Sequence, residues 1–144
     1  MWKIMTSFHV TSLFTDIPVD FIIDLIFVSV FRSNDEFNDP NRRRMKKLWE
    51  WVVKTTAFPL NGRFCREVDG VAMCSSIEPL MADVCMNYVI DRALAVTPPE
   101  CRPDLLCRCV DHLFSLFSKQ YPFKRFFTNI NSTAFKVILS LPRR

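Results

Sequence analysis

The order of elements in this sequence predicts an α+β domain whose core runs β-α-β-β-α-β, a ferredoxin-like arrangement with helices inserted after the first strand. Three observations predict it. Stretches rich in β-branched and aromatic residues lie near both ends, and two more stand back to back between helix-periodic segments. The chain has 144 residues, 49% hydrophobic and 24% charged, which is the balance of a single globular domain. Its 14 Phe and three Trp can fill a core without covalent staples, whereas two Gly are too few for a P-loop or a dinucleotide fingerprint.

The elements follow in order. Residues 6–14 (TSFHVTSLF) read as a short buried strand that stops at Thr15-Asp16. Asp16 and Pro18 are a helix-start signal, and the apolar run to Phe31 makes a largely buried helix. A polar loop over 33–39 precedes Pro40, which opens a second helix with an apolar stripe of Met45, Leu48, Trp49, Val52 and Val53. The opposite face of that helix carries Arg42, Arg43, Arg44, Lys46 and Lys47. Residues 58–68 form a hairpin turning at Asn61-Gly62. Ile77, Leu80, Met81, Val84, Cys85, Tyr88 and Val89 recur at helical spacing, giving a third helix that ends before Pro98-Pro99. The runs 105–110 and 113–117 make a hairpin with Asp111-His112 at its polar tip, where chemistry would sit. A helix over about 119–130 and a strand over 135–141 complete the chain. In this order the first strand and the central hairpin lie side by side, and His9 faces Asp111.

Charge is unevenly placed. Residues 1–100 hold 11 Lys/Arg and 13 Asp/Glu, a net −2, while 101–144 hold 8 and 2, a net +6. The longest apolar stretch, 21–31, contains Asp24 and is far short of the roughly 18 residues a membrane span requires, so no membrane partner is expected. With no signal peptide at the start, the six cysteines are expected to be reduced thiols inside the cell.

Four ordered segments, SFHVTSLFTDIPVD, GRFCREVDGVAMCSSIEPLMADVCM, LLCRCVDHLFSLF and FFTNINSTAFKV, resemble the reverse transcriptases of Penelope-like retroelements. The corresponding family patterns are SFDVxSLFTNIPV, QxDGVAMGSPLSPxxAxxxM, RYVDDxFxxF and an NxIN(S) segment before a strand, and together they cover about residues 6–140. The resemblance implies a polymerase palm, here one truncated domain over 1–144 with fingers and thumb incomplete. In such enzymes two Mg²⁺ ions held by carboxylates drive nucleotidyl transfer, with RNA and DNA as partners.

The resemblance assigns the metal carboxylates to positions 9, 111 and 112, which here are His9, Asp111 and His112. One of three carboxylates is kept, so binding of Mg²⁺ is doubtful and the domain is expected to be catalytically inactive. Phe14 matches the aromatic gate beneath the sugar of the incoming nucleotide, and Gly70 and Ser75 match nucleotide-binding positions. Glu67 stands where the family has Gln, Cys74 replaces Gly, Ser76 Pro, Glu78 Ser and Cys109 Tyr. The apolar positions Val10, Leu13, Ile17, Leu80 and Phe114 match.

Two other readings stay open. In the first, Arg42, Arg43, Arg44, Lys46 and Lys47, with Lys119, Lys124, Arg125, Lys136, Arg143 and Arg144, form a non-catalytic nucleic-acid-binding face, Phe126 or Phe127 stacking on bases. The 42–47 cluster also resembles a nuclear-localisation patch. In the second, Cys101, Cys107, Cys109 and His112, spaced C-x5-C-x-C-x2-H, hold zinc.

Overall fold

Alternation of apolar and polar side chains makes β1 (Ile4–Thr11), in which Phe8 and Val10 are buried while Met5, Ser7 and Thr11 are exposed. The strand ends before Leu13, earlier than its composition predicts, because Ser12 takes a φ of 58° that breaks the extended run. Leu13–Asp16 then winds one helical turn, α1, held by the Thr15 hydroxyl donating to the Ser12 carbonyl at 3.1 Å. The computed structural model describes residues 3–30, 40–66, 70–72, 75–118, 122–132 and 138–140. Glu67, Cys74, Lys119, Lys136, Arg143, Arg144 and the 33–39 loop, all named above, lie outside these.

Pro18 precedes α2 (Val19–Val30) and Pro40 opens α3 (Pro40–Lys54), both where a missing N–H does no harm. The hairpin β2 (Ala57–Leu60) and β3 (Arg63–Arg66) turns at Asn61 and Gly62, whose φ values of 50° and 76° are those of a type I′ turn. Next come α4 (Glu78–Val96), a 3₁₀ turn at Pro99–Cys101, the hairpin β4 (Leu105–Cys109) and β5 (His112–Phe117), α5 (Pro122–Ser132) and β6 (Ile138–Ser140).

One sheet has the order β4-β5-β1-β6 with every neighbouring pair antiparallel, and β2-β3 stands apart from it. This mixed α+β arrangement is compatible with a palm. The inward side chains of β1 and β5, Phe8, Val10, Leu113 and Phe117, join Ile22 and Ile23 of α2, Met81, Met86 and Val89 of α4, and Phe126 and Ile130 of α5 in a single buried cluster. Each such side chain stabilises the fold by about 1.5–3 kcal/mol. The helices therefore cover one face of the sheet, and the alternation leaves His9 and His112 on the other.

Phe126 is fully buried with its ring 6.0 Å from Phe117, and Phe127 stacks on Phe8 at 5.5 Å. These rings build the core and are not platforms for bases. Thr97, also fully buried, ties α5 to the end of α4: its hydroxyl donates to the Ala93 carbonyl at 2.6 Å and accepts from the Asn129 amide at 2.8 Å.

The expected stripe of α3 is largely wrong. Met45, Leu48 and Val52 are exposed, as is Trp51, and only Trp49 and Val53 turn inward. The helix packs on α2 along a line through Arg42, Lys46, Trp49 and Val53, which is a regular helical spacing that includes two cations. Arg42 donates to the Phe27 carbonyl at 3.3 Å, Lys46 pairs with Asp24, and Trp49 meets Phe27 edge-on at 6.0 Å. Lys54 pairs with Asp20 at 2.5 Å. Asp24 and Asp20 hold the two ammonium groups above the ordinary lysine range. Two members of the basic cluster thus fasten α3 to α2, while Arg43, Arg44 and Lys47 point outward.

Candidate metal centre at the hairpin tip

Because β1 and β5 pair antiparallel with His9 opposite His112, their side chains must meet on the same sheet face. The two imidazoles lie 4.6 Å apart between centroids, inclined at 39°. Asp111, at the turn before His112, reaches between them. One of its carboxylate oxygens lies 2.6 Å from His112 Nδ1 and the other 3.6 Å from His9 Nδ1. The ligand atoms of His9, Asp111 and His112 all lie within 4.8 Å of one another, and among the described residues no other group of three comes together in this way.

The turn is held under strain. Val110 has a φ of 52°, a conformation that β-branched residues rarely adopt, and its side chain is exposed. Two bonds fix it. The amide of Val10 donates to the Asp111 carbonyl at 2.8 Å, anchoring the tip to β1, and Arg108 donates to the Val110 carbonyl at 3.3 Å. The Arg108 guanidinium also pairs with Asp83 and donates to Asn87 at 3.2 Å, so β4 is tied to α4. Asp83 and Asn87 escaped the sequence reading. The signal was available in their i,i+4 spacing on the polar side of an otherwise apolar helix. Below the tip lies an open groove of about 490 Å³ lined by Pro79, Leu80, Ala82, Asp83, Arg108 and Val110.

His9 Nδ1 has almost no solvent contact and, among the described residues, no hydrogen-bond partner, although the ring itself is half exposed. A buried nitrogen without a partner is expensive unless something else occupies its lone pair or takes its proton.

The other residues singled out above divide. Phe14 and Gly70 are brought together: the Val71 amide donates to the Phe14 carbonyl at 2.8 Å, and Gly70, with a φ of 79°, lies against Phe14 and Thr15 so closely that a Cβ would stand 2.4 Å from that carbonyl oxygen. Ser75 caps the approach to α4, its hydroxyl accepting from the Ile77 amide at 3.3 Å. Cys101, Cys107, Cys109 and His112 do not assemble as one ligand set. Cys107 and Cys109 are exposed on β4, and His112 groups with His9 instead.

Magnesium is held by oxygen ligands in near-octahedral geometry, and this cluster offers one carboxylate and two imidazoles. The residues do not fit that ion.

No protein-family model matches the chain, and no curated protein matches it. Among solved structures it is similar to an apo telomerase from Candida tropicalis truncated from its C-terminal domain, with a TM-score of 0.68 and 12% identity. The match covers 99% of this chain and 31% of that chain, so the chain spans about a third of the telomerase's length. At this identity the likeness is one of fold. Among the described residues no helix is long and apolar enough to cross a membrane.

Proposed function

We propose that this chain is a polymerase palm of the reverse-transcriptase kind, related to those of Penelope-like retroelements, whose nucleotidyl-transfer site is no longer functional. The observation that carries the reading is the meeting of His9, Asp111 and His112 across β1 and β5, because these are the three positions at which the sequence motifs require metal carboxylates. The telomerase fold, reached with 12% identity, supports it from a separate direction.

Loss of activity follows from charge. Three carboxylates would bring −3 to a site built for two divalent cations, whereas this cluster brings −1, and its one carboxylate already accepts from His112. The remaining partner is nucleic acid, met through phosphate contacts from Arg43, Arg44 and Lys47 on the outer face of α3.

Primer extension on an RNA template, with Mg²⁺ or Mn²⁺, is expected to yield no product. Templated extension that is abolished by Asp111→Asn would overturn the inactivity. An RNA–DNA hybrid is expected to bind with an affinity that falls steeply with salt, and changing Arg43, Arg44 and Lys47 to Ala is expected to flatten that slope. Absence of binding at low salt would remove the nucleic-acid partner from the proposal.

A further inference from the structure

We propose that His9, Asp111 and His112 form a binding site for a borderline divalent transition metal, zinc being the first expected. The inference rests on the donor set and its geometry and does not require the palm reading. Two imidazoles and one carboxylate are the ligands that zinc accepts, and three protein ligands leave a fourth position open.

The distances support this chemistry. For Zn–N and Zn–O bonds of about 2.0–2.2 Å, two ligand atoms in a tetrahedral site stand about 3.4 Å apart. His9 Nδ1 and the nearer Asp111 oxygen are 3.6 Å apart. That is too long for a hydrogen bond, yet it subtends an angle of about 120° at a metal placed between them with those bond lengths. A cation there would also partner the buried His9 Nδ1, which has no hydrogen-bond partner among the described residues.

His112 has to move. Its Nδ1 is 2.6 Å from Asp111, a hydrogen-bond separation too short for both atoms to ligate one zinc ion comfortably. Its side chain is 61% exposed, so the ring can swing outward by about an ångström without displacing the core. The β1–β5 register holds the two histidines opposite each other, and the strained Val110 turn presents Asp111 between them, so most of the site is organised before any ion arrives. Cys109 pairs with His112 in the β4–β5 register, but its thiol is outside the group of three, leaving the fourth position to water.

The test is titration of the full chain with Zn²⁺ by calorimetry and with Co²⁺ by visible absorption. One equivalent of each is expected to bind, and the cobalt form is expected to show d–d bands without a thiolate charge-transfer band. His9→Ala and Asp111→Asn are each expected to weaken zinc at least tenfold, with the circular dichroism unchanged. His112→Ala, at the most exposed ligand, keeps the test open if His9→Ala fails to fold. The double variant His9→Asp, His112→Asp is expected to reverse the preference, losing zinc at least tenfold relative to Mn²⁺. Absence of saturable binding, a strong thiolate band, or zinc affinity unchanged in His112→Ala would each overturn the assignment. None of these readouts depends on polymerase activity or nucleic-acid binding, so the palm reading stands or falls separately.

Discussion

Substituting Gly70 by alanine separates two costs that usually come together, because Gly62 supplies a matched control. Both glycines have nearly the same positive φ, 79° and 76°. Placing an L-residue there costs about 1–2 kcal/mol in each case. The reduced freedom of the unfolded chain returns about 0.4–1 kcal/mol. Around Gly62 nothing lies within 4 Å of an added Cβ, so Gly62→Ala is expected to lose only about 1 kcal/mol. Around Gly70 the new carbon would meet the Phe14 carbonyl oxygen at 2.4 Å, the Thr15 Cα at 2.6 Å and the Thr15 oxygen at 2.7 Å. All three are backbone atoms and cannot rotate away, so the segment must shift. The shift breaks the 2.8 Å bond from the Val71 amide to Phe14. Val71 is 2% exposed, and a buried amide left without a partner costs about 1–3 kcal/mol. Gly70→Ala is therefore expected to lose about 2–4 kcal/mol in total. Urea unfolding followed by circular dichroism measures both variants. With an m-value of about 2 kcal/mol per M, the two midpoints are expected to differ by about 0.5–1.5 M. Midpoints within about 0.3 M of each other would refute the close approach of 70–71 to the β1–α1 turn.

Val110→Gly is expected to stabilise the chain by up to about 1 kcal/mol in the same assay, because it removes positive-φ strain from an exposed residue at a modest entropic cost. Arg108→Ala is expected to cost about 2 kcal/mol, since the side chain is only 17% exposed and its guanidinium bonds Asp83, Asn87 and the Val110 carbonyl. Burial pushes the Cys85 thiol from its ordinary 9.0 up to about 11. The folded state therefore holds this proton longer than the unfolded state, and the stability present below pH 9 falls as pH rises toward 11. The slope contributed by the thiol approaches about 1.4 kcal/mol per pH unit in that window, and comparing wild type with Cys85→Ala across it isolates the contribution. In the native protein at pH 8, iodoacetamide is expected to modify exposed Cys107 and Cys109 while sparing Cys85, as peptide mapping would detect.

Much of the fold was legible because several local signals agreed. Asn61-Gly62, Pro40 and Pro98-Pro99 punctuate the chain where the structure turns, starts and stops. The apolar spacing of α4 is that of a helix buried on a broad face, with Met81, Cys85, Met86 and Val89 all inside. The α3 stripe misled because periodicity reports that a helix is amphipathic and not which neighbours are there to cover it. This helix lies against α2, whose outer surface offers Asp20 and Asp24, so Arg42 and Lys46 turn inward while Leu48 and Trp51 stay exposed. Phe126 and Phe127 misled for a related reason. A phenylalanine on an amphipathic helix looks the same whether it meets a base or a β-sheet, and here the partners are Phe117 and Phe8.

The site was legible for a reason that reaches further than motif matching. Strand order alone makes β1 and the β4–β5 hairpin neighbours, and the bond from the Val10 amide to the Asp111 carbonyl holds the tip so that His112 stands opposite His9. A slip of one residue would carry His112 to the buried face and bring Leu113 out, so the core itself enforces the pairing. What sequence could not supply was the state of His9 Nδ1, buried and without a hydrogen-bond partner among the described residues although its ring is half exposed, because that depends on where the Asp111 carboxylate turns. The carboxylate bonds His112 and stops 3.6 Å short of His9, and this asymmetry gives the tip its chemistry. On the proposed palm reading, a magnesium pair would require three carboxylates at these positions. Two imidazoles flanking one carboxylate leave a gap of the size and donor character that a single, softer cation fills.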